Sequence, residues 1–181
     1  MIYENIQGWF DFPDLYDEMI TKYAGKPHVT FVEVGVWKGK SASYMAERIK
    51  NSAEDFKFYC VDTFEGSYDE EQHQKDPLVE SGTLYDHFID NMTGLEKFFT
   101  PMVMDSVKAA SQFDDNSLDF VFIDANHSYD GVSADLKAWI PKIKKDGFIA
   151  GHDYNNVDVR KAVHDQIPAA QGCSRHCWIR K

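Results

Sequence analysis

Apolar, β-rich runs recur along the chain at near-regular intervals, and segments with helical spacing separate most of them. The runs are VTFVEV (29–34), FKFYCV (56–61), residues 98–104 with Pro101 inside, LDFVFI (118–123) and GFIA (147–150). Between them, residues 41–49, 84–92 and 132–143 gather apolar side chains on one helical face. In the last of these the face is formed by Val132, Leu136, Trp139, Ile140 and Ile143. Near-continuous apolar strands alternating with helices predict an α/β domain with a doubly wound, Rossmann-like, mostly parallel sheet and helices on both faces. A further helix is expected over 157–167, and CWIR (177–180) is expected to add a closing strand.

Two segments fall outside this alternation. Residues 1–28 carry Ile6, Trp9, Phe10, Leu15, Tyr16, Met19 and Ile20, which predicts a pair of short amphipathic helices packed on the body. The same pattern would serve a helical cap over a pocket. Residues 62–83 hold seven acidic residues, one lysine and few apolar side chains, the composition of a solvated loop. Its length, and its start at the C-terminal end of a strand, are also those of a functional lid. No repeat or second domain is visible, so residues 1–181 are read as a single domain, long enough to bury roughly 70% of its unfolded surface.

Composition narrows the function classes. With 43% hydrophobic and 27% charged residues the chain is globular in type, and its net charge of −11 disfavours nucleic acid as a partner. No apolar run approaches the roughly 18 residues of a membrane span, and the N-terminus lacks a signal-peptide pattern, so a cytoplasmic location is expected. Cys60, Cys173 and Cys177 are an odd, sparse set, read as reduced thiols. Cys173, His176 and Cys177 would not complete a four-ligand zinc site. Aromatic residues make up 14% of the chain, enough to line pockets that stack flat ligands as well as a core.

In open α/β sheets ligands bind beyond the carboxyl ends of the strands. The first such end reads E33-V-G35-V-W-K-G39-K-S41, a tight strand-to-helix turn with Ser41 placed to cap the helix. Trp37 occupies the second glycine position of a dinucleotide fingerprint, and no Walker spacing is present. Glu33 would repel a phosphate and suits a cationic, sulfonium- or ammonium-bearing ligand. The second strand ends at Asp62-Thr63, 27 residues after Gly35, where a carboxylate can accept hydrogen bonds from ribose hydroxyls. The third ends in Asp105-Ser106, a polar pair suited to an adenine edge. One such group per strand describes S-adenosylmethionine (SAM) as the cofactor.

With these motifs the sequence resembles the class I SAM-dependent methyltransferases. More specifically it looks like the metal-dependent small-molecule O-methyltransferases that include the macrolide-sugar, aminocoumarin and cephalosporin-hydroxylase-like proteins. FVEVGVWKGKSASYMA, VDTFEGS, FIDANHSYDGVSADLKAW and GFIAGHDY carry the resemblance over nearly the whole chain. It implies SAM binding by Glu33, Gly35, Gly39, Ser41, Asp62, Thr63, Asp105, Ser106 and Asp124. It also implies a divalent metal, usually magnesium, on Asp124 and Asp153, with His127 as general base beside Asp124. The family often has two adjacent acids where this chain has His152-Asp153. An imidazole ligand opens the site to manganese or iron, or His152 bonds a ligand from a second layer. The implied partner is a small hydroxylated acceptor, and self-association is common among relatives. Two other readings use the same residues: a SAM-binding hydroxylase-like or non-catalytic relative, and another nucleotide-binding α/β protein.

Overall fold

The computed structural model describes residues 2–68 and 70–180, so residue 69 of the expected lid, together with residues 1 and 181, lies outside the described residues. A short 3-10 turn, Ile2–Asn5, precedes α1 (Pro13–Tyr23) and β1 (Thr30–Val34). Then come α2 (Lys40–Ser52), β2 (Lys57–Asp62), two single-turn helices α3 (Glu71–Gln74) and α4 (Pro77–Glu80), and α5 (Leu84–Asn91). The chain continues through β3 (Thr100–Val103), α6 (Ser106–Ala110), β4 (Leu118–Ile123), α7 (Tyr129–Trp139), β5 (Ile143–Gly151) and α8 (Val157–Gln166). The hairpin β6 (Gln171–Gly172) and β7 (Trp178–Arg180) closes the sheet.

The strand order is β3-β2-β1-β4-β5-β7-β6, with the first five parallel and the last two antiparallel to their neighbours. This is the expected doubly wound sheet. The chain runs outward from β1 to β3 and returns to β4, so the topological switch point lies between β1 and β4, where such sheets bind ligands.

Alternation sorts the core into two layers. Phe31 on β1 and Phe120 and Phe122 on β4 point to one face, against an aromatic layer built with Phe12 and Tyr16 of the N-terminal segment. Val32, Val34, Val121 and Ile123 point to the other, against Leu136 and Trp139 of α7 and Val163 of α8. Every residue of β4 is buried, as a strand covered on both faces requires.

Several boundaries differ from the sequence expectation. The helix expected over 132–143 is α7 at 129–139, because Ser128 caps it early by accepting from the Gly131 N–H. It ends early because Pro141 has no N–H to continue it; a 3-10 turn follows and Ile143 pairs with Leu118 as the start of β5. The run 98–104 shortens to β3, an edge strand that tolerates Pro101. The segment expected as a solvated loop holds α3 and α4, and its Asp76 forms a buried ion pair with Lys38 at 2.5 Å. Ser41 does not cap α2: Gly39 holds the cap position with φ 88°.

Candidate functional site

The site is assembled at the C-terminal ends of β1, β2 and β4. Gly35 follows β1 with φ +86°, and a Cβ built there would lie 2.0 Å from the Asp124 carbonyl oxygen, so only glycine lets the two strand ends close together. The backbone ties the ends: Gly35 N–H donates to Val61 O at 2.8 Å and Asp124 N–H to Val34 O at 2.8 Å. Asp62 then clamps the turn, its Oδ2 accepting from the N–H groups of Val36 (2.9 Å) and Trp37 (2.8 Å) and its Oδ1 from Phe64 (2.8 Å).

Two cavities meet at this point. One, of about 280 Å³, is lined by Gly35, Asp62, Thr63, Asp105, Ser106 and Asp124 among others. At its far end Asp135 is buried and its carboxyl is raised to about 6 by burial, against a stabilising bond from Ser106. The other, of about 630 Å³, lies across Gly35 and Asp124 and is walled by Trp9, Asp11, Glu70, His127, His152 and Asp153. Trp37 and His73 border both, stacked at 4.7 Å, and Trp9 stacks on Trp37 from the open side at 5.7 Å. The Trp37 indole N–H is buried and makes no hydrogen bond among the described residues.

The second cavity holds an acid–imidazole network. His127 Nε2 lies 3.2 Å from Asp153 Oδ2 and 3.8 Å from Asp124 Oδ1, while its Nδ1 faces Glu70 at 3.2 Å. His152 bridges Asp153 (Nδ1, 3.1 Å) and Asp11 (Nε2, 3.0 Å), and His176 rests on the other oxygen of Asp11 at 3.3 Å. Burial opposes charge on His127, but Asp124 and Asp153 outweigh it and lift the imidazole to about 11; the same contest, with Asp11 adding its bond, raises His152 to about 9. Burial alone would raise Asp153, yet the two imidazoles hold its carboxyl well below the ordinary carboxylate range.

A family model described as "Methyltransferase domain" matches residues 32–154, the span from within β1 to Tyr154, which takes in Asp124 and Asp153. The chain belongs to this methyltransferase family. Its enzyme class is that of the SAM-dependent methyltransferases. Among solved structures it is similar to the O-methyltransferase NovP, at 15% identity over 93% of this chain and 78% of that one, with a TM-score of 0.70. Calicheamicin methyltransferase CalS11 is similar at 14% identity, 93% and 77% coverage and a TM-score of 0.68. A SAM-dependent O-methyltransferase from Thermotoga maritima gives 18% identity, 88% and 52% coverage and a TM-score of 0.53. At these identities the likeness is one of fold. A comparison with curated proteins gave no match.

Within this methyltransferase fold the residues singled out from the sequence divide into three groups. Gly35, Asp62, Thr63, Asp105, Ser106 and Asp124 face the smaller cavity. There Asp105 also caps α6 through the Lys108 N–H, and the Ser106 hydroxyl accepts from the Trp139 indole. Asp124, His127, His152 and Asp153 converge on the larger cavity, which Ser41 also borders. Glu33 and Gly39 line neither. Glu33 is 1% exposed beneath the glycine turn, where the Ser41 hydroxyl donates to Oε1 and burial pushes the carboxyl up to about 8. Gly39 is required by packing instead, since a Cβ would lie 2.9 Å from the Phe88 ring.

Asp11, Glu70 and Asp135 escaped the sequence reading, and Trp9 entered it only as part of the N-terminal apolar pattern. Asp11 and Trp9 come from the N-terminal segment and Glu70 from the 62–83 segment, so neither spacing nor strand-end position marks them. The nearest signal was the placing of these segments beside the pocket.

Asp124, His152 and Asp153 offer donor atoms within 4.8 Å of one another. Two hard carboxylates and one imidazole fit a divalent cation of the manganese or iron type better than magnesium. The same carboxylates raise both imidazoles, so the site gathers negative charge that a divalent cation would offset.

Proposed function

We propose that the protein transfers the methyl group of SAM to a hydroxyl of a small polyhydroxylated acceptor, with a divalent cation on Asp124, Asp153 and His152 and with His127 as proton acceptor. The observation that carries this reading is the meeting of the two cavities at Gly35 and Asp124. The smaller presents ribose- and adenine-type partners, Asp62 and Asp105-Ser106. The larger presents acids and imidazoles suited to an oxygen nucleophile, behind a wall of stacked aromatic rings.

The reaction is an in-line displacement in which the acceptor oxygen bonds the methyl carbon and the carbon–sulfur pair returns to sulfur. Bound in the smaller cavity, SAM would place its methyl toward the shared wall, with the acceptor on the far side. A cation at the Asp124 site would withdraw charge from the acceptor oxygens and lower their pKa. The chain's part is to orient and deprotonate. Asp124 and Asp153 hold His127 as an imidazolium; a cation on those two carboxylates would offset the charge that raises it, and the neutral ring, with Nδ1–H directed at Glu70, would then take the hydroxyl proton at Nε2. Trp37 and Trp9 offer flat apolar rings to the acceptor.

Calorimetry with SAM, NAD and ATP tests the cofactor; heat with SAM alone is expected, and its absence would overturn the reading. Incubation with labelled SAM, hydroxylated acceptors and Mg²⁺, Mn²⁺ or Fe²⁺ should then yield S-adenosylhomocysteine that EDTA suppresses. Turnover indifferent to EDTA would remove the cation and keep the transferase.

A further inference from the structure

The β6–β7 hairpin carries the two cysteines that the site leaves unused. Its register pairs Gln171 with Ile179 and Gly172 with Trp178, so the next rung of the ladder is Cys173 opposite Cys177. The rung is formed: Cys173 N–H donates to Cys177 O at 3.0 Å, and Cys177 N–H closes the turn on Ser174 O at 2.7 Å. Directly opposed residues of an antiparallel pair lie with Cα atoms about 4.5–5.5 Å apart and side chains on one face. That falls within the window of roughly 4.4–6.8 Å that a disulfide spans. The two thiols interact directly, and that contact, the largest influence on Cys173, lowers its pKa to about 7. Cys173 is exposed to a reagent and Cys177 is buried behind it, the arrangement of an attacking and a resolving thiol.

We propose that Cys173 and Cys177 are a reversible redox site whose disulfide locks the turn bearing His176. The oxidant is a low-molecular-weight disulfide, RSSR. The Cys173 thiolate attacks one of its sulfurs, forming a mixed disulfide and expelling RS⁻. The Cys177 sulfur then attacks the Cys173 sulfur, its proton passing to the second RS⁻ as that leaves. Two electrons move from the cysteine pair to RSSR, giving one internal disulfide and two RSH. The locked turn matters because His176 rests on Asp11 by its side chain, while its carbonyl accepts from the Tyr154 N–H at 2.7 Å, next to Asp153. Oxidation therefore stiffens one wall of the larger cavity and leaves the smaller cavity, which the turn does not line, unchanged.

Trypsin reads the bond directly, because Arg175 lies between the cysteines. After treatment of the full chain with glutathione disulfide, peptides 162–175 and 176–180 should remain joined without reductant and separate after dithiothreitol. Cys173→Ser, an exposed and conservative change, should abolish the joined species. Hydrogen exchange should show the Tyr154 amide several-fold slower in the oxidised protein than in the reduced protein or the variant. S-adenosylhomocysteine affinity should be the same in all three. Glutathione left on Cys173 with no joined peptide would overturn the proposal, as would Tyr154 exchange that ignores oxidation.

Discussion

At Gly35 the left-handed backbone and the 2.0 Å approach of the Asp124 carbonyl leave no room for a methyl group. Gly35→Ala should cost more than about 2 kcal/mol of stability, from strain and from forcing apart β1 and β4. Thermal unfolding would show this, and an unchanged midpoint would contradict it. Glu33 gives a prediction of opposite character. Burial raises its carboxyl from 4.5 to about 8, so between those pH values the unfolded chain releases a proton that the folded chain keeps. Stability from this group is therefore complete below pH 4.5 and is lost as pH rises through 8. Glu33→Gln should flatten the fall in Tm between pH 5 and pH 8, measured by calorimetry at fixed ionic strength. Parallel curves for the two proteins would refute a protonated Glu33. At this scale Gly35, Asp62 and Asp124 were legible because strand ends in an alternating pattern can be counted. The depth of Glu33 was not, because alternation assigns a face to a residue and cannot say whether a cavity reaches it.

Elements set where these residues meet. The 62–83 segment reads as loop in sequence because its acids outnumber its apolar residues, yet one of those acids is structural. Asp76 caps α4 through the Leu78 N–H at 2.9 Å and pairs with Lys38, whose ammonium also holds Gln7 at 2.8 Å. One lysine of the glycine turn thus fastens both the N-terminal segment and the 62–83 segment. Such a pairing of distant residues has no local signature. Asp76→Asn should leave the buried ammonium without its counter-charge, costing about 2 kcal/mol. Limited proteolysis should then cut within 62–83 faster than in the wild type, and S-adenosylhomocysteine should bind more weakly, because Ser67 and Tyr68 wall the smaller cavity. Proteolysis and affinity both at wild-type levels would show that the ion pair does not hold the segment. The ends of α7 teach a related lesson. Pro141 was visible in the sequence, but the apolar spacing continues through Ile143, whose side chain serves the sheet instead of the helix.

On the scale of the whole molecule, the two cavities share Gly35, Trp37, His73, Asp124 and Ala125 and otherwise have separate walls; on the proposed function the smaller takes the cofactor and the larger the acceptor. The two should be separable by mutation. A ligand confined to the smaller cavity stabilises the fold by about 2.7 kcal/mol when present at a hundredfold of its Kd. For a chain of 181 residues that corresponds to a rise in Tm of roughly 5–10 °C. S-adenosylhomocysteine should give this rise in the wild type and in Asp153→Ala, because Asp153 lies only on the larger cavity. Asp62→Ala should lose most of it, since Asp62 both faces the smaller cavity and accepts from the Val36 and Trp37 amides that shape the turn. The ligand-induced increment is the proper readout, because Asp62→Ala also lowers the starting Tm. Turnover with a competent acceptor should fail in both variants, in Asp153→Ala at full cofactor occupancy. If Asp153→Ala loses the increment as well, the cavities do not work as separate halves, and the acid–imidazole network belongs to cofactor binding instead of to the acceptor.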